Sequence, residues 1–97
     1  DPNTIPYKEP TEEELLKAER TQMRCSKTQF VITLGKTKYN TLLAALTKDE
    51  NWNTQVAFEN SNMLYRNQEL IRSIQKLLSL TDAAIDDIFR AAARVVE

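Results

Sequence analysis

The amino-acid sequence predicts an all-α fold, a compact bundle of five or six short helices behind an extended N-terminal arm. Turn residues point there first. Of 97 residues one is Gly and three are Pro; the Pro stand at positions 2, 6 and 10, and residues 36 to 97 contain neither type. A chain of short strands needs such residues throughout, so helices are favoured. Apolar residues also recur at the spacing of one helix face through most of the chain. Finally, the capping-box pattern S/T-x-x-E/Q occurs at Thr11–Glu14 and again at Ser26–Gln29. Hydrophobic residues make up 41% and charged residues 28%, ordinary proportions for a folded chain. A chain of this length buries about 60–70% of its unfolded surface, enough for one modest core, so residues 11–97 read as a single helical domain.

Residues 1–10 read as an extended Pro-rich arm or linker, because each Pro removes a backbone donor and turns the preceding residue away from helical dihedrals. Ile5 and Tyr7 are its apolar candidates for contact with a partner or with the domain itself. The first helix is expected from about 12 to 24. Thr11 caps it, Glu12, Glu13 and Glu14 favour the positive end of its dipole, and Leu15, Leu16 and Met23 form a narrow stripe. Ser26 and Gln29 start a second helix. Segment 28–34 contains the strand-favouring Phe30, Val31, Ile32 and Thr33, but no second strand offers itself as its pair, and Gly35 fits a helix end. Tyr39, Leu42, Leu43 and Leu46 make a third helix. Residues 47–53 read as a polar loop holding Trp52. Residues 54–66 read as one helix with apolar triplets at 56–58 and 63–65, after which Asn67 is a plausible cap. Leu70, Ile71, Ile74, Leu77 and Leu78 form the strongest stripe. Thr81 caps the last helix, whose apolar positions are Ile85, Ile88, Phe89, Ala92 and Val96.

The composition narrows chemistry sharply. The chain has no His, one Cys and one Gly. Without imidazole, a Cys25 or Ser26 nucleophile lacks its usual base, although Arg24, Lys27 and a helix start could favour a Cys25 thiolate; a structural thiol is the simpler reading. One Gly cannot build a phosphate-cradling loop, and the twelve-residue Gly-containing calcium loop is absent from the sequence. Asp82, Asp86 and Asp87 read as a solvated helix face, with Asp86 and Arg90 placed for an i,i+4 ion pair. The sequence therefore predicts no catalytic residues, no cofactor, no metal and no enzyme activity. The lone Cys25 fits a reducing compartment, and no apolar run reaches the roughly 20 residues that span a bilayer.

Nucleic acid is disfavoured as a partner. The net charge is −1, and residues 81–97 carry four acids and two bases where a recognition helix would meet phosphate. Lys27, Lys36, Lys38 and Lys48 give residues 26–50 a net +2, but without Arg or aromatic interleaving beyond Phe30 and Tyr39. Protein contact is what remains, through Ile5, Tyr7, Trp52, Tyr65 and Arg66, residue types that include those enriched at interface hot spots. For Trp52 the simpler reading is that it caps the bundle core, and self-association into a homo-oligomer is a further option.

Three segments carry a family likeness: P-T-E-E-E-L-L-K-A-E-R at 10–20, Met23, Cys25, Ser26 and Gln29 in the pattern M-x-C-S-x-x-Q, and L-S-L-T-D-A-A-I-D-D-I-F-R-A-A-A at 78–93. In this order the chain resembles small proteins encoded in tail modules of tailed phages and prophages, with Ala57-Phe58-Glu59-Asn60-Ser61 at the place of their central A-W-E-D-A-like helix. It departs from that pattern at Gln68-Glu69, where Ser-Pro is common, and at Phe30 to Thr33, where small residues are common. The resemblance implies a non-enzymatic accessory protein that binds a tail or tail-fibre component, in the host cytoplasm during assembly or in the virion. A small modulator that occludes a host protein is the alternative.

Overall fold

The computed structural model describes residues 10–96. Ile5 and Tyr7 lie outside these residues. The chain runs α1 (Glu12–Gln22), β1 (Arg24–Ser26), α2 (Lys27–Leu34), α3 (Lys36–Leu46), a 3-10 turn (Asp49–Asn51), α4 (Trp52–Glu59), β2 (Met63–Tyr65), α5 (Glu69–Leu77) and α6 (Asp82–Ala92). The fold is thus roughly all-α, as the sequence predicts, with one short two-stranded antiparallel sheet added.

The caps act where the sequence places them. Thr11 Oγ1 accepts from the Glu14 amide at 3.1 Å, and Thr81 Oγ1 accepts from the Ala84 amide at 3.1 Å. Ser26 and Gln29 close a full capping box, each accepting the other's backbone N–H at 3.0 and 2.9 Å. Gln29 also donates through Nε2 to the Val95 carbonyl, tying the start of α2 to the residues after α6. Gly35 stands between α2 and α3 at φ 90°, ψ 157°, a conformation that side chains disfavour. Its N–H closes α2 on Val31 and its carbonyl accepts from Tyr39 in the first turn of α3.

The core gathers Phe30 and Leu34 of α2, Leu42 and Leu46 of α3, Phe58 of α4, Leu70, Ile71 and Ile74 of α5, and Ile85, Phe89 and Ala92 of α6. The Phe30 and Phe89 rings pack at 5.8 Å between centroids, tilted by 55°. Tyr39, Leu77, Leu78 and Ile88 are partly buried around this cluster.

Four expectations are corrected. The first helix stops at Gln22 rather than 24, because Met23 turns extended and Arg24–Ser26 pairs antiparallel with Met63–Tyr65 in the register Arg24–Tyr65, Cys25–Leu64 and Ser26–Met63. Residues 54–66 are not one helix. Asn60 donates from Nδ2 to the Val56 carbonyl and Ser61 from Oγ to the Ala57 carbonyl, taking up carbonyls at the end of α4; three residues later the chain is a strand. The apolar triplet 63–65 then splits by strand alternation, Leu64 inward and Met63 and Tyr65 outward. Gln68, not Asn67, is the residue flanking α5. Val96 is 91% exposed because α6 ends at Ala92.

Candidate functional site

The sheet and the last helix bring together three charged residues from three distant segments. Arg66 follows β2 directly, and its N–H donates to the Met23 carbonyl, extending the β1–β2 pairing by one step. This holds the Arg66 side chain over α6, where its Nε donates to Asp86 Oδ1 at 2.8 Å. Arg20, in the last turn of α1, forks onto the same carboxylate with Nε on Oδ1 at 3.0 Å and Nη2 on Oδ2 at 2.8 Å. Asp86 is 2% exposed and Arg66 5%.

Asp86 therefore does not lie on a solvated face, and Arg66 is not a free surface anchor. Both are corrections to the sequence reading. The expected Asp86–Arg90 pair is replaced: Arg90 donates to Glu19 at 2.7 Å and to Asp87 at 3.1 Å, because Asp86 turns inward. Burial pushes the Asp86 carboxyl up, but the hydrogen bonds and charges of Arg20 and Arg66 outweigh it and hold the group below the ordinary carboxylate value. Asp82, one turn earlier, accepts from Gln75 Nε2 at 2.9 Å and pairs with Arg66 at 3.4 Å, and these contacts, led by the Gln75 hydrogen bond, lower its pKa as well.

In front of this cluster lies a cleft of about 480 Å³, lined by Arg20, Arg66, Arg72, Lys76, Ser79 and Asp82 among others. Sequence reasoning passed over Arg72 and Lys76. A signal existed: they stand one turn apart on α5, and no acid occupies a position four residues before or after either. The grouping with Arg20 and Arg66 had no such local signal.

The remaining candidates separate. Trp52 is the first residue of α4 rather than a loop residue, and at 62% exposure it does not cap the core. Tyr65 is 48% exposed on the outer face of β2. Cys25, paired with Leu64, is buried at 2% exposure, and desolvation pushes its thiol up to about 11. At neutral pH it is a thiol and not a thiolate. Among the described residues no group of three or more His, Cys, Asp or Glu side chains could hold a metal ion, and no helix is long and apolar enough to cross a membrane.

No known protein family, curated protein or solved structure matches the chain.

Proposed function

We propose that this chain is a non-enzymatic, protein-binding accessory protein of a phage or prophage, associated with tail or tail-fibre assembly or structure. The observation that carries the binding half of this reading is α1. Not one of the eleven residues Glu12–Gln22 is buried, and Leu15 on it is 56% exposed. Among the described residues, the side-chain ties from α1 to the body of the fold sit in its last turn, Glu19 to Arg90 and Arg20 to Asp86.

An isolated helix shorter than about 12–15 residues is marginal in water, and helices in proteins draw most of their stability from packing an apolar face. A partner that covers Leu15 supplies that packing. Trp52, exposed on α4 with Val56 one turn later, offers a second apolar contact of the residue type most enriched at interface hot spots. The phage and tail-module half of the reading rests on the likeness across residues 10–93.

The test is capture of tail-tip and tail-fibre proteins by the full chain, repeated with Leu15→Glu and Trp52→Ala. Both substitutions fall on exposed positions, so the circular dichroism spectrum and melting temperature stay near those of the parent while capture falls at least tenfold. Capture that both variants leave intact removes α1 and Trp52 as the contact. Capture of a host protein in place of every tail protein replaces the tail reading with occlusion of that host protein.

A further inference from the structure

We propose that the cleft bounded by α5, the turn after it and the last turn of α1 is an oxyanion-binding site, taking a carboxylate or phosphate group against Arg72, Lys76 and the outer edges of Arg20 and Arg66.

Charge comes first. The whole chain carries −1, yet four cationic side chains and one acid line this cleft, and with Asp86 behind it the local balance is +2. Arg72 and Lys76 have no ion-pair partner among the described residues. Arg20 and Arg66 spend Nε and Nη2 on Asp86 and Asp82, which leaves the Nη1 amino group of each without a hydrogen bond there. Asp86 thus fixes both guanidinium planes before any ligand arrives, the preorganisation that spares an anion site the entropy of ordering long side chains.

Shape and lining agree. About 480 Å³ is the size of a small-ligand cleft. No aromatic ring lines it and Leu80 is its one apolar side chain, so it would recognise charge and hydrogen bonding rather than a ring. At its edge Ser79 holds φ 53°, the one positive φ outside Gly among the described residues. Leu80 donates to the Gln75 carbonyl at 2.9 Å and Ser79 to the Lys76 carbonyl at 3.2 Å, a helix ending in which Gly usually takes this place. Ser accepts the strain and adds a hydroxyl to the lining. The oxyanion has two sources, acidic side chains of a protein segment or a small phosphorylated compound. A nucleic-acid backbone fits less well, since a second phosphate would meet Asp82, exposed on the cleft wall.

The experiment is an NMR titration of the isotope-labelled full chain with inorganic phosphate and, separately, with a Glu-rich peptide, at low ionic strength. The expected result is saturable shifts at the amides of Arg72, Gln75, Lys76 and Ser79 with at least one probe. The double variant Arg72→Ala/Lys76→Ala weakens that binding tenfold or more, Asp82→Asn tightens it, and Lys36→Ala/Lys38→Ala leaves it unchanged. Tighter binding of the peptide assigns the site to a protein segment, and tighter binding of phosphate assigns it to a small phosphorylated ligand. Absence of shifts at these amides with both probes overturns the proposal. So does binding that Arg72→Ala/Lys76→Ala fails to weaken, or duplex DNA that binds through the same two cations more tightly than either probe.

Discussion

Arg66 and Asp86, twenty residues apart in sequence, meet at 2.8 Å with both side chains almost wholly shielded from water. The contact joins the end of the small sheet to the inner face of α6, and Arg20 adds the end of α1 to the same carboxylate. One acid thus receives two cations from two segments that lie 46 residues apart in sequence. Desolvating such charges is expensive, so the arrangement persists only because each partner satisfies the others.

Asp86→Asn keeps the shape of the side chain and removes its charge, leaving the buried Arg66 only the longer contact at 3.4 Å to the exposed Asp82. Loss of one partner of a buried pair costs about 3–5 kcal/mol, and urea unfolding should show a loss of that order. Removing the exposed Glu19–Arg90 pair by Glu19→Gln is expected to cost no more than about 1 kcal/mol, because both groups already face solvent. Equal losses for the two variants would contradict the buried-cluster account.

Acid should act through the same carboxylate. The folded-state pKa of Asp86 is lowered from its ordinary value of 3.8, so its stabilisation is fully present above that value. It is lost as pH falls from there through the lowered folded value, where the folded state at last takes up the proton. Melting temperature should therefore fall with acidification in this range for the parent chain. The fall should be visibly shallower for Asp86→Asn, which has no proton to take up at this position.

Cys25 should resist alkylation in the native state. Its thiol is buried, and its pKa of about 11 leaves only a trace of thiolate at pH 7.5. Iodoacetamide should modify it at least a hundredfold more slowly in buffer than in denaturant, with the mass of the modified protein as the readout. Rapid native labelling would mean that the β1–β2 pair opens readily.

Gly35→Ala should destabilise the fold by about 1 kcal/mol or more, measured by urea unfolding. A Cβ at this position would meet nothing within 4 Å, so the cost is conformational and comes from φ 90°. The gain that Ala brings by restricting the unfolded chain is smaller than that strain and does not reverse the sign.

The sequence by itself determined the features whose causes lie within a few residues. The caps at Thr11, Ser26 and Thr81, the helix end at Gly35 and the apolar stripe of α5 from Leu70 to Leu77 are all local, since a cap needs only a side chain and an amide three residues on. Segment 28–34 resolved as helix despite its β-branched residues because the Ser26–Gln29 box is local too. The tertiary structure decided the rest. Strands of three residues exist only through each other, and Arg24–Ser26 cannot announce a partner at Met63–Tyr65 that the chain delivers after three more helices and a 3-10 turn. The apolar triplets around residues 56–58 and 63–65 suit one long helix or a helix and a strand equally well, and only that distant pairing breaks the tie. Asp86 is the plainest instance. An acid on a helix belongs in water unless cations wait for it inside, and those cations stand 20 and 66 residues away. The burial of a charge depends on which segments the whole fold brings into contact, and no window of neighbouring residues contains that information.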